Sequence, residues 1–428
     1  MTTLINDICR ALGELNVAEW ILSQTDTETA ELFFIKHNLD MRRMKKVTKI
    51  NVTVYRPFEK DGAKTKGSSS VEIVPSQSFV EIKALIEKAY FAASFVANPT
   101  YSLPDKVIGE LKKSESDIAK VSVGDAAMVM AKAMFAGESK DNKAFINSGE
   151  IFAEKSTTRI LSACGTDVSY EDCNVNGELV VQCKEPEDVE MFRSFEYDGL
   201  KTDAVTALVK EALSQVEDRA IAKKELPSGS YDVILSGEQL AELMSFYPER
   251  TSGNMVFPGY STWKVGDDIM GETVTGERIN LIGHAKQPFN SEGIPMEDKP
   301  LIEDGKVSLI HSGAQFASYL QQPMTGLYTA VTLNNGTVPF AEMKKNCLYP
   351  VTFSDFQMDA FSGFFGGEIR LAYLFDGENV KIITGGSVSG NISECCGELV
   401  FSRERYSGAN YEGPFAVKLK NIKVAGTV

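Results

Sequence analysis

The stretch YDVILSGEQLAELMSFYPERTS, residues 231–252, joins an apolar strand to a short amphipathic helix. Val233, Ile234 and Leu235 read as the strand. Ser236 is of the type that caps helices, and Glu238 falls in the first turn, where a carboxylate suits the helix dipole. Leu240, Leu243 and Met244 then recur at helical spacing. A strand feeding a capped helix is a common mount for catalytic side chains. This helix, over 237–247, carries no His, Cys or Lys.

Upstream of this junction, helices alternate with strands. An amphipathic helix opens the chain in MTTLINDICRALGELNVAEW, where acidic residues among the apolar ones argue against a signal peptide. ELFFIKHNL and KVTKINVTVYRPF are strand-like, GAKTKGSSS reads as a flexible hairpin loop, and the chain returns through VEIVP. A helix follows in SFVEIKALIEKAYFAASFVANP, capped by Ser76 or Ser78 and stopped near Asn98-Pro99. VGDAAMVMAKAMF predicts a shorter helix. Three strands are predicted between Ala144 and Glu185, turning at Cys164-Gly165 and at Asn176-Gly177, the latter a hairpin signal. A charged helix spans 203–225.

Downstream, glycines become frequent and short strands recur. Hairpins are expected about Asp304-Gly305 and Asp376-Gly377. The pattern predicts an α+β protein of two domains. Residues 1–225 would form an N-terminal mixed α/β domain, and residues 226–428 a strongly curved, barrel-like, antiparallel β domain.

Composition excludes several classes. The 428 residues hold 44 basic and 59 acidic side chains, a net charge of −15, which disfavours a nucleic-acid partner. The one basic cluster, MRRMKK at 41–46, fits a solvated strand or turn face. No apolar run approaches the roughly 20 residues of a membrane span. The seven cysteines (Cys9, Cys164, Cys173, Cys183, Cys347, Cys395 and Cys396) form no C-x-x-C pair and suit free thiols in a reducing cytosol.

Candidate sites are sparse. The three histidines, His37, His284 and His311, stand apart in sequence, whereas zinc ligands usually come closely spaced. A site assembled from His284, His311 and a carboxylate stays open at this level. Ser236-Gly237 lacks the G-x-S-x-G context of a nucleophile elbow. Cys164 reads as an apolar residue ending a strand, and Cys395-Cys396 as a half-buried strand end. TGGSVSGN at 384–391 lacks the Lys and Ser/Thr of a P-loop and reads as turns between strands. Glu238 and Glu242, four apart, could act as acid and base, but such pairs on an exposed helix are usually only solvated. The sequence assigns no catalytic, cofactor-binding or metal-ligating residue.

Several segments together resemble the TldD/PmbA family, described as modulators of DNA gyrase and associated with a metallopeptidase. LPSGSYDVILSGEQLAELM is similar to the family's entry to its second domain. KVGDDI, QPFNSEGIPMEDKPLIEDGKV, MTG and the terminal EGPFAVKLKNIKVAG follow in family order. FVEIKALIEKAYFAASF and CGTDVSYEDCNVNGELVV fit the first half more loosely. One kind of member carries an H-E-x-x-x-H zinc motif on the helix described above, with a Cys ligand near the chain end. The other kind, PmbA or TldE, lacks these ligands and pairs with the first. Here the motif positions fall on Ser245, Phe246 and about Arg250, and SRERYSGANYEGP supplies no Cys. The family's DDEG reads NSEG, with Asn290 and Ser291 in place of carboxylates and Glu292 kept.

The resemblance therefore implies a PmbA-like, non-metal-binding subunit of a cytosolic metallopeptidase acting on unfolded peptides. It would hold an extended peptide by strand edges and dimerise with an H-E-x-x-x-H-bearing TldD-type subunit, or otherwise with itself. In the family arrangement two second domains face each other around an enclosed space. Neither nucleic acid nor membrane is an expected partner, and no cofactor is expected on this chain. Two rival readings remain at this stage: a self-sufficient hydrolase with an unrecognised site, and a homodimeric peptide-binding protein without catalysis.

Overall fold

A computed structural model describes residues 2–271, 273–334, 336–377 and 379–428. Helix α1 (Thr2–Glu14) leads into the long antiparallel strands β1 (Glu19–Ile35), β2 (Asn38–Lys60) and β3 (Ala63–Ile73). Asp61 and Gly62, both at positive φ, make the two-residue turn between β2 and β3, with Lys60 paired to Ala63. The GAKTKGSSS segment is thus strand rather than loop. An Asp-Gly pair reverses the chain by itself and leaves the following residues free to pair. The basic cluster lies on β2, where Glu31 of β1 pairs with Arg43 and Lys45, and Glu28 with Lys46. It is a solvated strand face.

Helix α2 (Phe79–Ala92) starts at Ser78, whose side chain and that of Glu81 form a reciprocal capping box. The helix ends before the bridge strand β4 (Asn98–Pro99), and α3 (Val123–Phe135) is capped by Ser122. Next come β5 (Phe145–Ser162), β6 (Asp167–Cys183), β7 (Val189–Tyr197) and α4 (Thr202–Ile221). The turn at Cys164-Gly165 is present. No turn forms at Asn176-Gly177: β6 runs straight through it, pairing Gly177 with Ile151 on one side and Phe195 on the other. A Cβ there would lie 2.5 Å from Phe195 and 2.8 Å from Ile151, so this glycine serves close packing rather than chain reversal. The seven strands of this half form one sheet, ordered β4-β3-β2-β1-β5-β6-β7.

In the second half, β8 (Gly229–Ser236) precedes the short helices α5 (Glu238–Met244), α6 (Phe246–Arg250) and α7 (Gly253–Val256). Strands β9 (Leu281–His284), β10 (Lys299–Glu303) and β11 (Lys306–Val307), helix α8 (Ala314–Leu320), strand β12 (Ala330–Leu333) and helix α9 (Phe340–Met343) follow. Then come β13 (Cys347–Met358), β14 (Phe364–Asp376), β15 (Asn379–Ile383) and β16 (Ser387–Asn391). The chain closes with α10 (Ile392–Cys395), β17 (Val400–Phe401), β18 (Arg405–Ser407), β19 (Tyr411–Pro414) and β20 (Ala416–Ala425). Both Asp-Gly hairpins are present, Glu303 pairing with Lys306 and Asp376 with Asn379. Cys395 and Cys396 lie buried in a helical turn rather than at a strand end.

The ring β13-β8-β20-β16-β14 closes because β13 also pairs with β14, giving a five-stranded barrel. Its strands are buried on both sides. Val233, Leu348 and Val417 join one cluster with Phe365, while their neighbours Ile234, Tyr349 and Ala416 join the cluster around α4. A second sheet, ordered β11-β10-β9-β12-β19-β18, lies beside the barrel. Among the described residues no helix is long and apolar enough to cross a membrane.

Because Phe195 and Ile151 already fill the space at residue 177, Gly177→Ala should cost about 1–3 kcal/mol, the usual penalty of overpacking. Urea denaturation at neutral pH measures it, and an unchanged midpoint would contradict this packing.

Candidate functional site

The junction quoted at the outset is built differently from its sequence pattern. Ser236 is not the helix cap: it is a buried strand end, hydrogen-bonded to the Tyr349 hydroxyl at 3.0 Å. Gly237, at φ 56°, turns the chain instead. That conformation is open to glycine at little cost, and it lets α5 leave the strand end at once. Leu240, Leu243 and Met244 are buried as expected. Pro248 has no N–H to continue the helical ladder, so α5 and α6 are separate pieces meeting at Ser245. The Ser245 hydroxyl donates to the Glu242 carbonyl at 2.7 Å.

The opposite face of α5–α6, with Glu238, Ala241, Glu242, Ser245, Pro248 and Glu249, forms one wall of a space of about 630 Å³. Across it lie β6 at 176–178 and β7 at 194–197, with the segment 406–410 and Tyr328 completing the lining. A further space of about 630 Å³ shares Tyr197, Glu238, Tyr406 and Ser407 with the first. A smaller one, about 220 Å³, shares Glu196, Tyr197 and residues 407–410. Together they make one trough between the first-half sheet and the second half.

Two sheet edges border this trough. Strand β7 ends one sheet and β18 ends another. The carbonyls of Glu190 and Phe192 accept hydrogen bonds from Arg219 and Arg193 side chains, which marks the edge of β7 that faces away from β6. By strand alternation, the backbone groups of Ser194 and Glu196 share that edge.

The first space is acidic. Glu178, Glu196, Glu238, Glu242 and Glu249 line it, without any Lys or Arg. The Glu238 carboxyl is raised above the ordinary carboxylate range because neighbouring atoms crowd it. Arg193 and a hydrogen bond from Ser194 pull it only partly back. Burial also raises Glu249, with Glu242 and Asp359 adding repulsion. Glu238 and Glu242 thus share a cleft face instead of a freely solvated one. Glu249 extends that face by two further turns, a periodicity already visible in the sequence. Glu178, Glu196, Tyr328 and Tyr406 come from separate elements, and nothing local in the sequence marks them.

The positions equivalent to a zinc motif do not fit a metal. Ser245 faces the trough, but its hydroxyl is engaged with the helix backbone. Phe246 points inward, edge-on to Trp263 at 5.6 Å. Arg250 lies against the same ring at 5.3 Å and donates to the Tyr260 carbonyl at 2.6 Å. An aromatic core residue and a fixed cation occupy the places of a general base and a ligand. Asn290 and Glu292 build a turn: Asn290 Oδ1 accepts from the backbone N–H groups of Glu292 and Ile294, and Glu292 accepts from that of Ala314.

The histidines remain apart. His37 pairs with Glu138, and His284 with Asp298 at 3.0 Å, both in exposed positions. His311 is 1% exposed; its Nε2–H donates to the Pro248 carbonyl at 2.8 Å and its Nδ1 accepts from the Tyr328 N–H at 3.2 Å. Both ring nitrogens are spent on backbone groups, so His311 pins the trough wall rather than offering a ligand. Among the described residues no three His, Cys, Asp or Glu side chains converge as a metal site. Cys164 is exposed in its turn rather than an apolar strand end. Partial burial would raise its thiol, but hydrogen bonds involving Ser162 and Thr166 outweigh that and lower it.

Burial lowers His311 to about 4, against an ordinary value near 6.5. A depressed histidine stabilises the fold fully above its unfolded value, and that contribution is lost as pH falls from about 6.5 to about 4. The loss should approach about 3 kcal/mol. His311→Gln keeps a donor and an acceptor without a titrating ring. Urea midpoints from pH 7 to 4 should fall less steeply in this variant than in the parent.

Residues 228–426 match the family model described as the PmbA/TldA metallopeptidase C-terminal domain. Over 99% of this chain and 100% of the other, the fold matches TldE from Thermococcus kodakarensis at 18% identity and a TM-score of 0.79. A putative modulator of a DNA gyrase from Thermotoga maritima matches over 99% and 100% of the two chains, with 17% identity and a TM-score of 0.77. Another from Bacteroides thetaiotaomicron matches over 98% of both, with 13% identity and a TM-score of 0.75. No curated protein matches the sequence.

Proposed function

Because the chain belongs to the TldD/PmbA family, we propose that it is a peptide-holding, non-metal-binding subunit of a cytosolic metallopeptidase that acts on unfolded peptides. The observation that carries this reading is the wall of the trough. A helix in the place of a zinc-motif helix presents Ser245 to the trough and commits Phe246 and Arg250 to packing. The halves 1–225 and 226–428 act as two domains that border a bound peptide from either side. An extended peptide would pair with the open edge of β7 or of β18, its main chain supplying affinity without demanding a particular sequence. Bond cleavage belongs to a TldD-type partner bearing H-E-x-x-x-H. The free thiols suit a reducing compartment.

The expected assembly is a dimer, with itself in isolation and preferentially with such a relative. A second reading, a homodimeric peptide-binding protein, draws on the fact that residues of one chain suffice to line the trough. A hydrolase centred on His284 and His311 is disfavoured by the backbone bonds that occupy His311.

The purified protein should contain no stoichiometric transition metal and leave casein intact. Mixed with a TldD-type relative, it should form a heterodimer that cleaves unfolded casein. That activity should vanish on chelation or when the relative's motif Glu is replaced, and Ser245→Ala here should change it little. One chelatable zinc per chain with activity alone would refute the proposal. An inactive mixture that still binds casein would favour the peptide-binding reading.

A further inference from the structure

Helix α2 is buried on one side only. Ile82, Ile86 and Ala89 pack inward with α1 and the β2–β3 face. The opposite side carries Val80, Ala84, Phe91 and, on the following 3-10 turn, Phe95, at spacings that keep them on one stripe. Val80, Phe91 and Phe95 are 75%, 60% and 74% exposed. The two rings meet edge to face at 5.2 Å, which holds Phe95 in line with the helix. Nothing in the chain's own packing calls for two such open phenylalanines. The stripe lies toward the edge of the sheet opposite β7, away from the trough.

We infer that this stripe is a docking surface for a second copy of the same chain, with the two α2 helices antiparallel about a two-fold axis between Glu87 and Lys88. In that pairing Val80 meets Phe95 of the second copy and Ala84 meets Phe91, a smaller side chain facing a larger one each time. Glu87 meets Lys88 of the second copy, twice by symmetry. Neither Glu87 nor Lys88 makes an ion pair within the chain among the described residues, whereas Glu81 and Lys83 are engaged with Ser78 and Glu14. One surface complementary to itself in size and charge is what an isologous interface requires. A membrane surface fits less well: an interfacial helix needs an excess of Lys and Arg beside its apolar face, and here the charges balance on a chain of net charge −15.

Each phenylalanine would withdraw roughly 100–150 Å² from water. The helix pair therefore lies below the roughly 1,200 Å² of a tight complex, and the dimer is reversible with a dissociation constant in the micromolar range, about 1–100 μM. The inference goes beyond the peptide-holding role and does not rest on it, since the contact leaves the trough open.

Sedimentation velocity of the full chain from about 1 to 100 μM tests it. Phe91→Ser with Phe95→Ser should leave monomer throughout, with the circular dichroism spectrum unchanged. Glu87→Lys alone and Lys88→Glu alone should each weaken dimerisation about five-fold or more by placing like charges opposite one another. The double reversal should restore it to within about two-fold of the parent. A parent that stays monomeric at about 100 μM, or a dimer indifferent to loss of both phenylalanines, overturns the inference. A double reversal as weak as the single ones overturns the antiparallel pairing. Casein cleavage in the mixture with a TldD-type relative is read separately, so failure of either idea is distinguishable from failure of the other.

Discussion

Helix α4 is the element on which the arrangement of the molecule depends. Val205, Val209, Ala212, Leu213, Val216 and Ala220 bury one helix against three different neighbours. Helix α3 approaches so closely that a Cβ on Gly137 would sit 2.5 Å from Val209. The first-half sheet contributes Leu179, Met191 and Phe195, and the outer side of the barrel contributes Tyr349, Val351 and Leu371. Polar groups stitch the same seam. Arg193 of β7 donates to Gln215 of α4 and Thr352 of β13, and Tyr373 of β14 donates to Asp218. An apolar cluster shared in this way fixes the two halves relative to each other, because neither can move without exposing the other's core.

That seam also creates the trough. With α4 wedged between sheet and barrel, β7 is held opposite α5, and the space between them is left unfilled by side chains. The wall made by α5–α6 owes its shape to packing: a positive-φ glycine turns the chain, Pro248 interrupts the helix, and His311 ties its end to Tyr328. A helix held so firmly does not need catalytic residues to persist. Its inward face belongs to the core, and only its outward face is free to vary in chemistry.

The electrostatics of the trough follow from the same placement. Five carboxylates around one water-accessible space repel one another, and crowding raises Glu238 and Glu249 by disfavouring their charged forms. Backbone groups along β7 and β18 are the other polar feature of the walls. A surface of this kind suits recognition of main chain more than reaction at a side chain, which is why the functional reading rests on strand edges and not on a nucleophile.

Local pattern in the sequence was sufficient for much of the fold. Helical periodicity and caps located α2, α3 and α4, and the Asp-Gly pairs located two hairpins, because those signals act over a few residues. The same local rules misread Asn176-Gly177, where Phe195 and Ile151 require a glycine inside a strand, and Ser236, where Gly237 had already turned the chain. Residues 245, 246 and 250 show without any structure that a zinc motif is missing. The trough itself was not legible. Glu178, Glu196, Tyr328 and Tyr406 lie far apart in the chain and meet only because α4 closes one half onto the other. Closure of the barrel through β13 and β14 is likewise a long-range event. Short-range rules fix which segments become helix or strand, whereas a cavity is defined by the relative placement of segments, and that is set by the shared burial of apolar surface across the whole chain.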